Sequence, residues 1–373
     1  MLERLRRAWD WVRGYTRTHL SMVLVVVPIA LVALVLAGYG WWWRIVADGV
    51  RQRVAAFQTE QAMLGRQVVW DSFAVSGFPY RVETAVTAPR YSAPDRGLEW
   101  TGERVVVNVQ PLALNRAVIS LEGLQHFFYG NEGRWIQTDG RADRALVTVA
   151  KTSGAQSIGV DIARLTGKAT IDSSDYNLIV EAGEATMVVS DASAGEPLPR
   201  LDVSVRLKNV AVQGKIDLPL GRNIGLIEID AGLKLPADMA EASAAELFAA
   251  WQSSGTPVDL RHLELDWGGI RVSVSGTLTL DAQSLPEGRF LLKLGNHPRV
   301  LELLRSYGWI TEQTHAVAKP VLDLLAFGSG DPERRVSVPL RIEKGVIYLG
   351  PARIGTLTLP VSDEPLGPAE MVP

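Results

Sequence analysis

Tyr80-Arg81-Val82-Glu83-Thr84-Ala85-Val86-Thr87 puts Tyr80, Val82, Thr84 and Val86 on one side of an extended chain and Arg81, Glu83 and Thr87 on the other. Side chains alternate between faces in a strand, so a period of two reads as β-structure with one face turned to a core. Outward from this stretch the same period returns in segments 104–109, 117–121, 145–149, 157–162, 177–182, 186–190, 202–207, 210–216, 224–235, 263–267, 271–280 and 289–294. Gly, Pro, Asn and Asp fill the breaks between them, the residues that turns require. The expectation is a mainly β fold, an antiparallel body of curved sheets with almost no crossover helices in its first two thirds.

Upstream, the run from Leu20 to Trp43 carries no charge. As a helix it reaches ~36 Å, enough to cross a hydrocarbon core about 30 Å thick. Arg4, Arg6, Arg7, Arg13 and Arg17 precede it against Glu3 and Asp10, and such a basic flank stays cytoplasmic. Tyr39, Trp41, Trp42 and Trp43 suit the headgroup layer at the far boundary. The expected order is a cytoplasmic leader over 1–19, a transmembrane helix over 20–43 and a helical stalk over 44–65, with the body outside the cytoplasm. The stalk rests on Val46, Val50, Val54, Phe57 and Leu64 at helical spacing before Gly65. The rival is a signal peptide cleaved after Val35-Leu36-Ala37, disfavoured because the basic leader is long and cleavage would discard the aromatic belt.

The body divides softly near Ser193 to Pro199, into β-rich modules over 66–195 and 196–360, before a loose tail over 361–373. Trp100 to Val107 and Trp267 to Val274 share the pattern Trp-x-Gly-x-Arg-Val-x-Val. Two related modules or chance resemblance would each produce that echo. Helical insertions are expected late: Asp238 and Glu241 open a stripe of Ala244, Leu247, Phe248 and Trp251; Val300, Leu303, Leu304 and Tyr307 form a second; Thr314 to Ala326 form a third, kinked or divided at Pro320. Strand alternation resumes over Val336 to Ile342, where Pro339, lacking an amide proton, suggests an edge strand.

Composition narrows the chemistry. There is no cysteine, which excludes disulfides, thiolate nucleophiles and zinc-thiolate sites. A net charge of −3 with 47% hydrophobic residues suits a folded body and gives nucleic acid no basic stripe to bind. Nucleophile elbows, zinc-protease helices, phosphate loops and dinucleotide fingerprints are missing. Gly167-Lys168-Ala169-Thr170 reads as a hairpin turn, Asp139 and Asp143 read as turn residues, and His126 is expected among the aromatics Phe127, Phe128 and Tyr129. His262, Glu264 and Asp266 share one strand face, a weak polar patch that a solvated surface explains better than a metal or acid-base site. No catalytic, cofactor or metal residues are assigned, and the protein is expected not to be an enzyme.

The most distinctive stretch runs from Trp70 to Glu83, with a corner at Ser76-Gly77-Phe78-Pro79-Tyr80-Arg81. Gly77 is free to take positive φ, and Pro79 holds Phe78 extended. The corner is expected to be structural, with a buried aromatic plug; exposure of Phe78 would instead mark an edge where Phe78 and Tyr80 meet lipid or a partner beside Arg81. The anchor, this corner, the Trp100 strand and the ending Val338-Pro-Leu-Arg-Ile342 through Gly345, Tyr348-Leu-Gly350 and Pro351 resemble the Gram-negative envelope family known as domain of unknown function twenty-one twenty-five. That resemblance implies no activity, cofactor or catalytic residues. The architecture is also similar, more distantly, to the AsmA-type envelope proteins linked to lipid movement. The function expected is a single-pass inner-membrane protein whose periplasmic body binds or scaffolds, engaging lipid or an envelope partner; the alternative is a carboxylate-dependent envelope hydrolase.

Overall fold

The computed structural model describes residues 2–131, 134–171, 173–192, 198–214, 218–235, 255–281, 285–308, 310–328, 335–349 and 352–356; for residues 2–30 the description is of the backbone alone. One helix, α1 (Leu2–Met63), leads into strands β1 (Gln67–Val69), β2 (Ser72–Ser76), β3 (Val82–Thr87) and β4 (Arg90–Ala93). The longest strands follow: β5 (Leu98–Gln110), β6 (Ala113–Asn131), β7 (Arg134–Lys151), β8 (Ala155–Ile171), β9 (Ser174–Ser190) and β10 (Arg200–Gly214). Then come β11 (Asn223–Lys234), β12 (Val258–Trp267), β13 (Ile270–Leu280) and β14 (Pro286–Gly295), helices α2 (His297–Ser306) and α3 (Glu312–Gly328), and β15 (Val336–Glu343), β16 (Val346–Leu349) and β17 (Ala352–Thr356).

From β5 to β17 each strand pairs antiparallel with the next, giving a single meander. The far edge of β5 is shared by β3 and β4, which carry β2 and β1. The mainly β, antiparallel reading therefore holds. β9 and β10 pair in register on either side of the expected soft boundary, of which residues 193–197 lie outside the described residues.

Several breaks in the alternation are not turns. Segments 177–182 and 186–190 are one strand, β9, and 202–207 meets the described part of 210–216, residues 210–214, in β10. Asn209 has φ 49° and Arg164 φ 46°, so each reverses the facing of its strand without ending it. Asp143, Arg164, Glu181 and Asn209 lie on adjacent strands and form a crease across the sheet, with Arg164 paired to Asp143 and Asn209 donating to Glu181. All four are exposed, whereas Val180, Gly183 and Val210 beside them on the other face are buried. The second face is therefore the more sheltered one along this line. Asn209→Val, a β-branched residue at positive φ, is expected to cost about 1–3 kcal/mol by urea unfolding, while Asn209→Gly is tolerated.

Other local readings need correction. Gly167-Lys168-Ala169-Thr170 and both Asp139 and Asp143 lie inside β8 and β7, because the hairpin connections fall farther along the chain. The Trp-x-Gly-x-Arg echo has no common structure: the first copy is inside β5, while the second spans the Gly268-Gly269 turn between β12 and β13. β15 is not an edge strand, yet Pro339 lies beyond the last β16 pair, so its missing amide breaks no ladder there. His126 is exposed and bonded to Asp139, since it faces away from Phe127. The helix expected around Trp251 and the tail after 360 lie outside the described residues. α3 runs through Pro320 without division. Among the described residues no helix is long and apolar enough to cross a membrane; the side chains of residues 20–30, part of the expected span, are outside that search.

Candidate functional site

Register turns the alternation of each strand into continuous rows. Residues directly opposite in an antiparallel pair share a face, so the pairs can be followed from strand to strand. One row reads Val82, Val109, Ala117, Val149, Ile158, Met187, Val203, Ala231, Leu260, Gly276, Phe290 and Leu340. The next reads Val107, Ile119, Val147, Val160, Ala185, Val205, Ile229, Leu263, Val274, Leu292 and Val338. A third runs from Ala145 through Ile162, Gly183, Leu207, Ile227, Leu265, Val272 and Leu294 to Val336. Apart from Thr84, which pairs with Val107 at the β3 end of the second row, none contains a polar side chain. At about 4.8 Å between neighbouring strands, the first row is on the order of 50 Å long.

This apolar face is the one sheltered at the crease, where Gly183 of the third row is buried. Along the first row it is uncovered in the middle strands: Ile158 and Met187, directly opposite one another, are 39% and 37% exposed. Toward the C-terminal strands it is closed. α2 packs on β13 and α3 on β15, and Leu292, Leu294, Val336 and Ile342 are buried there. His297 Nε2 meets Asp323 Oδ1 at 2.8 Å, joining the two helices. That bond, with Lys319 adding to it, holds the Asp323 carboxyl below its usual range. Stability from this contact is present above the ordinary carboxylate range and lost as pH falls through the depressed value. Asp323→Asn is thus expected to lower the urea midpoint at neutral pH, by a difference that vanishes in acid.

The opposite face is polar. Asp161, Glu184, Arg206, Glu228, Glu264, Ser273 and Lys293 make one of its rows. Glu228 is held below its ordinary range by hydrogen bonding to Arg206. Arg261, in the bulge of β12, bridges Asp230 and Asp202, and the two carboxylates raise its pKa. His262, Glu264 and Asp266 lie on this face as expected, but they are tied up: His262 Nε2 is 3.3 Å from Glu264, and Arg271 reaches Glu264 at 3.6 Å and Asp266 at 3.0 Å. The two carboxylates converge on a guanidinium from the next strand, not on space for a substrate. No metal-holding group of acidic and histidine side chains occurs among the described residues.

The N-terminal end of the sheet is held by α1. Tyr39 donates to the carbonyl of Pro79, Trp43 Nε1 to that of Arg81 at 2.9 Å, and Trp42 Nε1 to that of Pro111 in the β5–β6 hairpin at 3.4 Å. Phe78 packs on Tyr39 and edge-on against Trp43, with centroids 6.2 and 5.6 Å away. Farther along α1, Gln58 donates to Val68, and Gln61 is buried beside Tyr91 and Arg66. The corner is therefore docked rather than plugged: Phe78 remains 54% exposed and Tyr80 86%. Gly77 has φ 98°, and a Cβ there would come within 2.7 Å of the Arg81 carbonyl oxygen. Trp70 is apart from this group, stacked on Phe73 at the other end of β2. The belt residues of α1 were visible in the sequence, but their bonding to the corner had no local signal.

No curated protein and no solved structure matches the chain. The family model described as an uncharacterized protein conserved in bacteria, DUF2125, matches residues 42–358, from the aromatic belt to the last strands. Spanning most of the sequence, that match establishes that the chain belongs to the DUF2125 family.

Proposed function

We propose that the protein is a membrane-anchored lipid-binding body of the cell envelope, with acyl chains lying along the apolar face of the sheet. What carries the reading is the set of unbroken apolar rows left half-exposed over the middle strands. Exposed apolar surface on this scale signals a binding partner. Each methylene removed from water contributes roughly 0.8 kcal/mol, so one acyl chain along a row gains several kcal/mol. An acyl chain fills about half of a hydrocarbon core about 30 Å thick, so rows on the order of 50 Å long suit a track for lipid better than a pocket for one molecule. The anchor is α1, whose uncharged run Leu20 to Trp43 is long enough to span the bilayer and whose Leu31, Leu34 and Leu36 are more than half exposed. With the basic leader inside, the body lies in the periplasm and the protein in the inner membrane.

A photo-crosslinking amino acid at Val160 in the full chain, activated in living cells, is expected to yield lipid adducts. The same probe at Thr186, on the polar face, should yield few. Equal labelling at the two positions, or none at Val160, would reject the groove.

A further inference from the structure

A cavity lies beside the corner that α1 holds. Of about 510 Å³, it is lined by Tyr80, Arg81, Asn108, Gln110, Arg116 and Val118, among others. Arg81 is partly neutralised by Glu83 at 2.6 Å, whereas Arg116 makes no ion pair among the described residues. The two guanidinium groups that line the cavity therefore suit it to negative charge. Trp43 Nε1 holds the carbonyl of Arg81 in this lining, and Tyr39 and Trp42 hold Pro79 and Pro111, the chain neighbours of Tyr80 and Gln110. Tyr80 in the lining and Leu112 and Leu114 on either side of Ala113 are 86%, 85% and 53% exposed. Apolar tips beside basic residues are the composition of surfaces that sit in the headgroup layer.

We propose that this cavity binds the phosphate of an anionic phospholipid between Arg81 and Arg116, and that Tyr80 and Leu112 dip into the interface. The body then rests on the bilayer as well as hanging from it. The inference depends on membrane insertion of α1 but not on the apolar groove.

The chain has no cysteine, so Leu112→Cys provides a single site for an environment-sensitive fluorophore. The labelled full chain would be placed in nanodiscs of phosphatidylcholine alone or with added phosphatidylglycerol, each with a nitroxide on a fraction of the headgroups. Phosphatidylglycerol is expected to increase quenching, and Arg116→Gln to lower that increment about fivefold, the effect of one basic residue near an anionic surface. Arg116→Lys should keep most of it, and circular dichroism would show each variant folded. Equal quenching in both lipids, or an increment unchanged by Arg116→Gln, would overturn the proposal. Loss of the increment on adding inorganic phosphate would assign the site to free phosphate and also overturn it. Failure of the chain to enter nanodiscs would refute insertion of α1, and this inference with it. Lipid capture at Val160 is read independently.

Discussion

Ile158→Asp is expected to strip lipid from the protein while leaving the sheet folded. Ile158 lies mid-row, opposite Val149 and Met187, and is 39% exposed, so the carboxylate keeps access to water and the stability cost stays near 1 kcal/mol. An acyl chain on the row would remove that water. Burying an ionised group without a partner costs several kcal/mol, and about 3 kcal/mol already corresponds to roughly a hundredfold in affinity. Lipid carried by the full chain from mild detergent, measured by native mass spectrometry, should fall accordingly. Thr186→Asp, one residue from Met187 but on the polar face, should leave it unchanged. Retention by Ile158→Asp would mean that lipid is not on this face.

Gly77→Val is expected to release the corner from α1. The substitution places a β-branched residue at φ 98°, with its Cβ against the Arg81 carbonyl oxygen that accepts from Trp43. Strain of this kind costs about 1–3 kcal/mol, and the corner has a less costly escape by swinging away from the helix. Trp43 and Phe78 would then part, while β3 stays paired to β5 along the pairs Val82–Val109 to Thr87–Arg104. Hydrogen exchange over residues 76–82 should speed up by tenfold or more, about 1.4 kcal/mol of lost protection, with little change in β8 or β9. Uniform loss of protection would place Gly77 in global folding instead.

The period-two face of each strand was legible in the sequence because it depends on neighbours two residues apart. Their alignment into rows was not, since Ile158 opposite Met187 is a matter of register that hydrogen bonds across strands decide. The crease was misread for a specific reason: Asn209 is a turn former, and its positive φ inside β10 leaves the same trace as a strand end. The polar patch was legible as a shared face of His262, Glu264 and Asp266, but Arg271, which ties it together, arrives from the next strand. Likewise Gly77 and Phe78 announced a corner, and only the fold brings Trp43 to Arg81 across 38 residues.

Every strand from β6 to β16 has as its partners the two that flank it in the chain. Such a sheet can be laid down in the order of synthesis, each arriving hairpin docking on a template already formed. With its first strands bonded to α1, growth begins at a fixed support and leaves a single advancing edge vulnerable to mispairing.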